Sequence, residues 1–155
     1  MPPEAGQAQL VLIENNDRQV SPFSYATIRF GMDGAWVGAD IGNSYFELGV
    51  DPGEHPLCAS WQSSAGRAKK NIDVGSFTAE AGKVYCFAAN ITMTGGGMVR
   101  GAPLDIFFNL AQRTEDEAKY RVKAWTLSAS MPSMQRWFGR AETLSACITG
   151  RNAIS

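Results

Sequence analysis

Histidine is nearly missing from this chain, whose 155 residues include one, His55. A single imidazole excludes multi-histidine metal centres, and any mechanism that uses imidazole must run through that residue. Cysteine is scarce as well. Cys58, Cys86 and Cys147 stand far apart and form none of the C-x-x-C pairs that mark zinc or redox sites. Charge of either sign is not in excess: 14 Lys+Arg against 15 Asp+Glu leave a net charge of −1. A nucleic-acid binder would carry a basic stripe, so that class is excluded. No stretch approaches the ~20 apolar residues of a membrane-spanning helix. The opening, Met1-Pro2-Pro3-Glu4-Ala5-Gly6-Gln7, has no basic n-region and no apolar h-region. Two origins fit that opening: a cytosolic protein, or a mature form whose signal lay upstream. The Pro/Gly/Gln character favours the second and predicts a flexible lead-in over residues 1–8.

What the chain does contain is turns. Its 16 glycines and 45% apolar residues suit a turn-rich β domain with a real core. Gln9–Ile13 reads as a first strand, stopped by Glu14-Asn15-Asn16-Asp17. Ala26, Ile28, Phe30 and Met32 share one face of the next. Asp33-Gly34 then predicts a type I′ hairpin, because both central residues must accept positive φ. Val37, Ala39 and Ile41 define the expected core phase of the returning strand, which leaves Trp36 out of phase and exposed. Phe46, Leu48 and Val50 form another buried face, and Asp51-Pro52-Gly53-Glu54 has the form of a type II turn. Leu57, Ala59 and Trp61 follow. Further strands are expected at Ile72–Phe77, Lys83–Ile91 and Leu104–Leu110. Regular spacing of short strands with turn signals predicts an all-β sandwich or barrel.

After residue 113 the pattern changes. Thr114-Glu115-Asp116-Glu117 is a capping box and predicts a helix over 115–122. A last strand is expected within Lys123–Ser128. Pro132–Phe138 predicts one or two further helical turns, with Met134, Trp137 and Phe138 on the apolar side and available to fold back over an edge or end of the sandwich. The domain thus spans 9–128, with a C-terminal helical segment and frayed tail over 129–155.

None of the chemical motifs stands up as a catalytic set. Gly95-Gly96-Gly97-Met98-Val99-Arg100-Gly101 matches neither dinucleotide nor phosphate-loop spacing and precedes no helix, so it reads as a hairpin tip. His55 and Cys58 are three residues apart on one presumed strand, hence on opposite faces. Asp33, Asp40, Glu47, Asp51 and Glu54 cluster near turns, where turn formation accounts for them. Asn90-Ile91-Thr92 matches a glycosylation sequon but lies at the end of an apolar strand. Neither a catalytic residue, nor a metal site, nor a cofactor is expected. Cys58 is out of phase with Leu57 and Ala59, and Cys86 with Tyr85 and Phe87. The cysteines are either buried free thiols or one disulfide with a thiol left over; on neighbouring strands of one sheet, Cys58 and Cys86 would form that bond and Cys147 would stay free.

Residues 32–61 resemble a known arrangement. Met32-Asp33-Gly34-Ala35-Trp36-Val37-Gly38, Gly42-Asn43-Ser44-Tyr45-Phe46 and Val50-Asp51-Pro52-Gly53-Glu54-His55, followed by Thr78-Ala79-Glu80-Ala81-Gly82-Lys83-Val84-Tyr85, resemble a family of uncharacterised bacterial envelope proteins, many of them lipoprotein-like (domain of unknown function family 2846). The same core is similar to PEGA-type domains. The resemblance spans about residues 9–112 and implies an immunoglobulin-like or transthyretin-like sandwich of seven to nine mostly antiparallel strands, with short C-terminal helices. It brings no catalytic residues. The function it implies is a non-enzymatic structural or interaction module of the periplasm or cell envelope, lipid-anchored in a longer precursor. Its partner would be a protein or another envelope component. A small-ligand or glycan-binding domain is the alternative; a hydrolytic enzyme comes third. Trp36, Met134, Trp137 and Phe138 are the expected ligand or partner contacts.

Overall fold

A computed structural model describes residues 3–16, 27–42, 44–62, 72–95, 104–124 and 126–127. The strands are β1 (Ala8–Asn16), β2 (Thr27–Met32), β3 (Ala35–Ile41), β4 (Ser44–Val50), β5 (Gly53–Gln62), β6 (Ile72–Ala79), β7 (Val84–Gly95), β8 (Leu104–Arg113) and the short β9 (Thr126–Leu127). One helix, α1 (Glu115–Ala124), precedes β9. The five-stranded sheet has the order β8-β7-β1-β4-β9, and the four-stranded sheet the order β3-β2-β5-β6. The architecture is the expected all-β sandwich. Two pairings, β1 with β7 and β4 with β9, are parallel; the rest are antiparallel.

Alternation builds the core. Leu10 and Leu12 from β1, Ile28 and Phe30 from β2, Phe46 from β4, Leu57, Ala59 and Trp61 from β5, and Phe87, Ala89 and Ile91 from β7 meet between the sheets. Phe30 and Phe46 cross edge to face, 5.7 Å between ring centroids. That geometry contributes about 0.5–1.5 kcal/mol beyond the area buried. Phe46 fits only because residue 38 is glycine: a Cβ there would lie 2.5 Å from the ring tip.

The hairpin at Asp33-Gly34 forms as expected, with φ of 53° and 79°. The strand after it does not keep the expected phase. Phe30 pairs with Gly38 and Gly31 with Trp36, so Val37 is an extra residue, a β-bulge. Beyond the bulge Ala39 and Ile41 turn outward, Ile41 being 52% exposed, while Gly38 and Asp40 turn inward. Gly53 adopts φ 147°, not the value near +80° that its type II turn requires. The lead-in is tied to the body: Gln7 N–H closes a turn on the Glu4 carbonyl, and Gly82 N–H donates to the Gln7 carbonyl at 2.8 Å.

The outer face of the five-stranded sheet is covered by α1. Ala118 and Val122 pack on Val11, Ile13, Cys86 and Ala88. Thr114 Oγ1 accepts the Glu117 N–H at 3.3 Å, forming one half of the capping box. The other half is replaced, because the Glu117 carboxylate takes two bonds from Arg121 instead of reaching back. The glycine tip at 96–101, the segment 129–155 and its Met134, Trp137 and Phe138 lie outside the described residues.

Candidate functional site

Three places carry polar or unusual chemistry. The first is His55. It opens the inner side of β5, with its side chain 14% exposed, and its Nδ1–H donates to Asp33 Oδ2 at 2.7 Å. Nε2–H donates to the Asp51 carbonyl at 2.8 Å. Both partners are acceptors, an arrangement that favours the doubly protonated imidazolium. Burial alone would lower its pKa, but the hydrogen bonds and charges of Asp33 and Asp51 outweigh it and raise the pKa above the ordinary value. The ring also packs on Phe77, 5.7 Å between centroids. His55 therefore clasps the β2–β3 and β4–β5 turns together, helped by the Asp33 N–H bond to the Pro56 carbonyl at 3.1 Å. Both ring nitrogens are engaged in the clasp.

The second place was hidden in the sequence. Glu14 continues the inward phase of Leu10 and Leu12 and does not stop β1 at all; it is 0% exposed, as is Asp40 from the opposite sheet. Asp40 Oδ1 accepts from Ser44 Oγ at 3.2 Å, and that hydroxyl accepts the Ile41 N–H. Burial first, then the Asp40 charge, push the Glu14 carboxyl up to about 8, against a smaller pull from the Gly42 amide. Beyond that amide, neither Glu14 oxygen meets a hydrogen-bond partner among the described residues. The pair holds a proton at neutral pH. With both carboxyl groups fully buried and Ser44 Oγ engaged twice, it offers substrate neither access nor a nucleophile. Asp40 thus keeps its expected turn role through Ser44, and the Val37 bulge adds full burial to it.

The third place is the outer face of the four-stranded sheet. Trp36 is half-buried, not exposed as its phase suggested, and packs with Cys58 and Ile72 in a small apolar cluster. Gly31 makes this possible. A Cβ at that position would sit 2.9 Å from Cys58 Sγ and 3.4 Å from Trp36 Cε3, so the indole leans across a strand without a side chain. Beside it runs a groove of about 560 Å³, lined by residues 31–34, 56–58 and 74–76. Its polar side chains are few: Asp33 is committed to His55, and Ser76 is the other. A small-ligand site usually brings several convergent polar groups to such a volume.

Cys58 and Cys86 do not form the expected disulfide. Cys86 is a free thiol, buried on the outer face of the five-stranded sheet beneath α1, with its pKa raised to about 11 by burial, then by Glu115 and Glu47. Cys58 is disulfide-bonded, but not to Cys86. Both sulfurs do point away from the interlayer core, as their phases required. They lie on different sheets, however, and therefore on opposite outer faces of the sandwich. Asn90 is equally unavailable as a glycosylation acceptor: 8% exposed, it donates to the Ala88 carbonyl and accepts from Asn15 and Arg113.

The fold and these sites define a two-sheet β-sandwich that carries one clasped histidine, one buried carboxylate pair and one disulfide-bearing outer face. Compared with known proteins, the chain matches no protein-family model and no curated protein. Among the described residues no group of three or more His, Cys, Asp or Glu is placed to hold a metal ion. Nor is any helix among them long and apolar enough to cross a membrane.

Proposed function

We propose that this chain is a non-enzymatic structural or interaction module of the bacterial cell envelope. The observation that carries the reading is the disulfide at Cys58 on an outer sheet face. Such bonds persist in oxidising compartments and are rare in a reducing cytosol. Two further observations support it. The sole imidazole is spent on joining two turns, and the buried carboxylate pair is closed to substrate. The sequence resemblance to envelope proteins points the same way. A glycan-binding role would want an open aromatic platform, and Trp36 already lies against Gly31 and Cys58.

The test is fractionation of the native host, with the gene's upstream sequence intact and an antibody against the sandwich. The protein should partition with periplasmic or membrane fractions. Recovery in the cytosol alone would overturn the reading.

A further inference from the structure

Cys58 is among the residues that line the groove on the four-stranded sheet, and the chain has three cysteines. Cys86 is free and lies on the far face of the sandwich, while Cys58 is bonded within this single chain. One cysteine remains. We infer that the outer face of the four-stranded sheet, around Trp36, Cys58, Ile72 and Val74, is the docking site of the chain's own C-terminal segment, pinned there by a Cys58–Cys147 disulfide.

The topology permits it. The described chain ends on β9, which pairs with β4 at one edge of the five-stranded sheet, and β3 of the other sheet packs beside β4. Cys147 follows Leu127 by twenty residues. An extended chain of that length reaches up to about 66–72 Å. Rounding the edge means crossing one sheet-to-sheet spacing of ~10 Å and about three strand spacings of ~4.8 Å, so the reach is ample. The chemistry fits too. Residues 128–148 bring Met131, Met134, Trp137, Phe138, Leu144 and Ile148, while the face offers the half-buried Trp36 and the 42% exposed Val74 beside the buried Ile72. On the other sheet α1 already covers the corresponding face with Ala118 and Val122. The C-terminal segment completes the symmetry: each sheet is covered by chain that follows β8.

The bond forms by exchange with a disulfide oxidant. Two thiols lose two protons and two electrons, one S–S bond forms, and the oxidant's disulfide becomes two thiols. The inference needs an oxidising compartment, and so shares that element with the envelope reading. Its test runs on purified oxidised protein, where the connectivity is decided whatever the cell fractionation shows.

Peptide mapping of the full chain without reductant should find Cys58 linked to Cys147 and Cys86 alkylated after denaturation. A Cys58–Cys86 peptide, or Cys58 joined to a second chain, would overturn the pairing. Docking is read separately by hydroxyl-radical footprinting of the folded protein. Labelling of the half-buried Trp36 should rise several-fold in Cys147→Ser. Wild-type protein under mild reductant should show the same rise, which covers the case of a variant that folds poorly. Unchanged labelling in a reduced protein that keeps its far-ultraviolet spectrum would mean a tether without docking, and would overturn the proposal.

Discussion

Asp73 on β6 accepts the backbone N–H of Leu110 on β8 at 2.8 Å, joining the edge of one sheet to the edge of the other. An edge strand displays outward-facing amides that invite pairing with another chain. Here a carboxylate from the facing sheet satisfies one of them. Replacing Asp73 with Ala should destabilise the protein by about 1.5–3 kcal/mol, the range for a lost bond to a charged group. The same variant should associate at concentrations where the wild type stays dispersed; denaturant melts and light scattering check the two effects.

Glu14 sets the pH dependence. Its carboxyl titrates near 8 in the folded protein, against a reference value of 4.5 for the unfolded chain. Between those values the folded state holds a proton that the unfolded state has lost. Stability therefore falls as pH rises from about 4.5 to 8, by at most about 1.4 kcal/mol per unit. Glu14→Gln keeps the shape without the ionisation, so its stability in urea should be flatter over that window and exceed the wild type's at pH 8. A variant that matches the wild-type slope would show that Glu14 ionises freely.

His55 adds a second loss in the same direction. Its folded pKa lies above the ordinary value, so the stabilisation is full below the unfolded pKa of about 6.5 and disappears as pH rises through the folded one. Side-chain NMR should show the imidazolium persisting above pH 6.5. His55→Gln should lower the melting temperature at pH 6 more than at pH 9.

Gly38 and Thr114 test packing and capping. Gly38→Ala places a methyl group against the tip of the Phe46 ring, 2.5 Å from its nearest atom. Overpacking of this kind costs about 1–3 kcal/mol. Thr114→Ala removes the acceptor of the Glu117 N–H and should cost about 0.5–2 kcal/mol, with Thr114→Gly costing only a few tenths. Equal losses at Thr114 would remove it as the cap.

The strands were legible in the sequence because alternation and turn chemistry are local. Asp33-Gly34 announces its hairpin, and Leu57, Ala59 and Trp61 announce their face. What failed was non-local. Whether Cys58 and Cys86 share a sheet depends on strand order, and β5 and β7 fall in different sheets although both sulfurs face outward as their phases required. The bulge at Val37 inserts a residue that no alternation rule foresees, and it exchanges Ala39 and Ile41 for Gly38 and Asp40 as inward residues. Glu14 was the one readable miss. It keeps step with Leu10 and Leu12, but a carboxylate beside two asparagines suggests the end of a strand more readily than a buried charge. The parallel pairing of β1 with β7 likewise has no local signature.

The central claim, an envelope module stabilised in an oxidising compartment, is tested most directly by trapping thiols in intact cells of the native host. Acid quenching, denaturation and alkylation without reductant are followed by intact-mass analysis of the captured protein. The account predicts one alkylated cysteine, Cys86, with Cys58 oxidised. Three alkylated cysteines would contradict it.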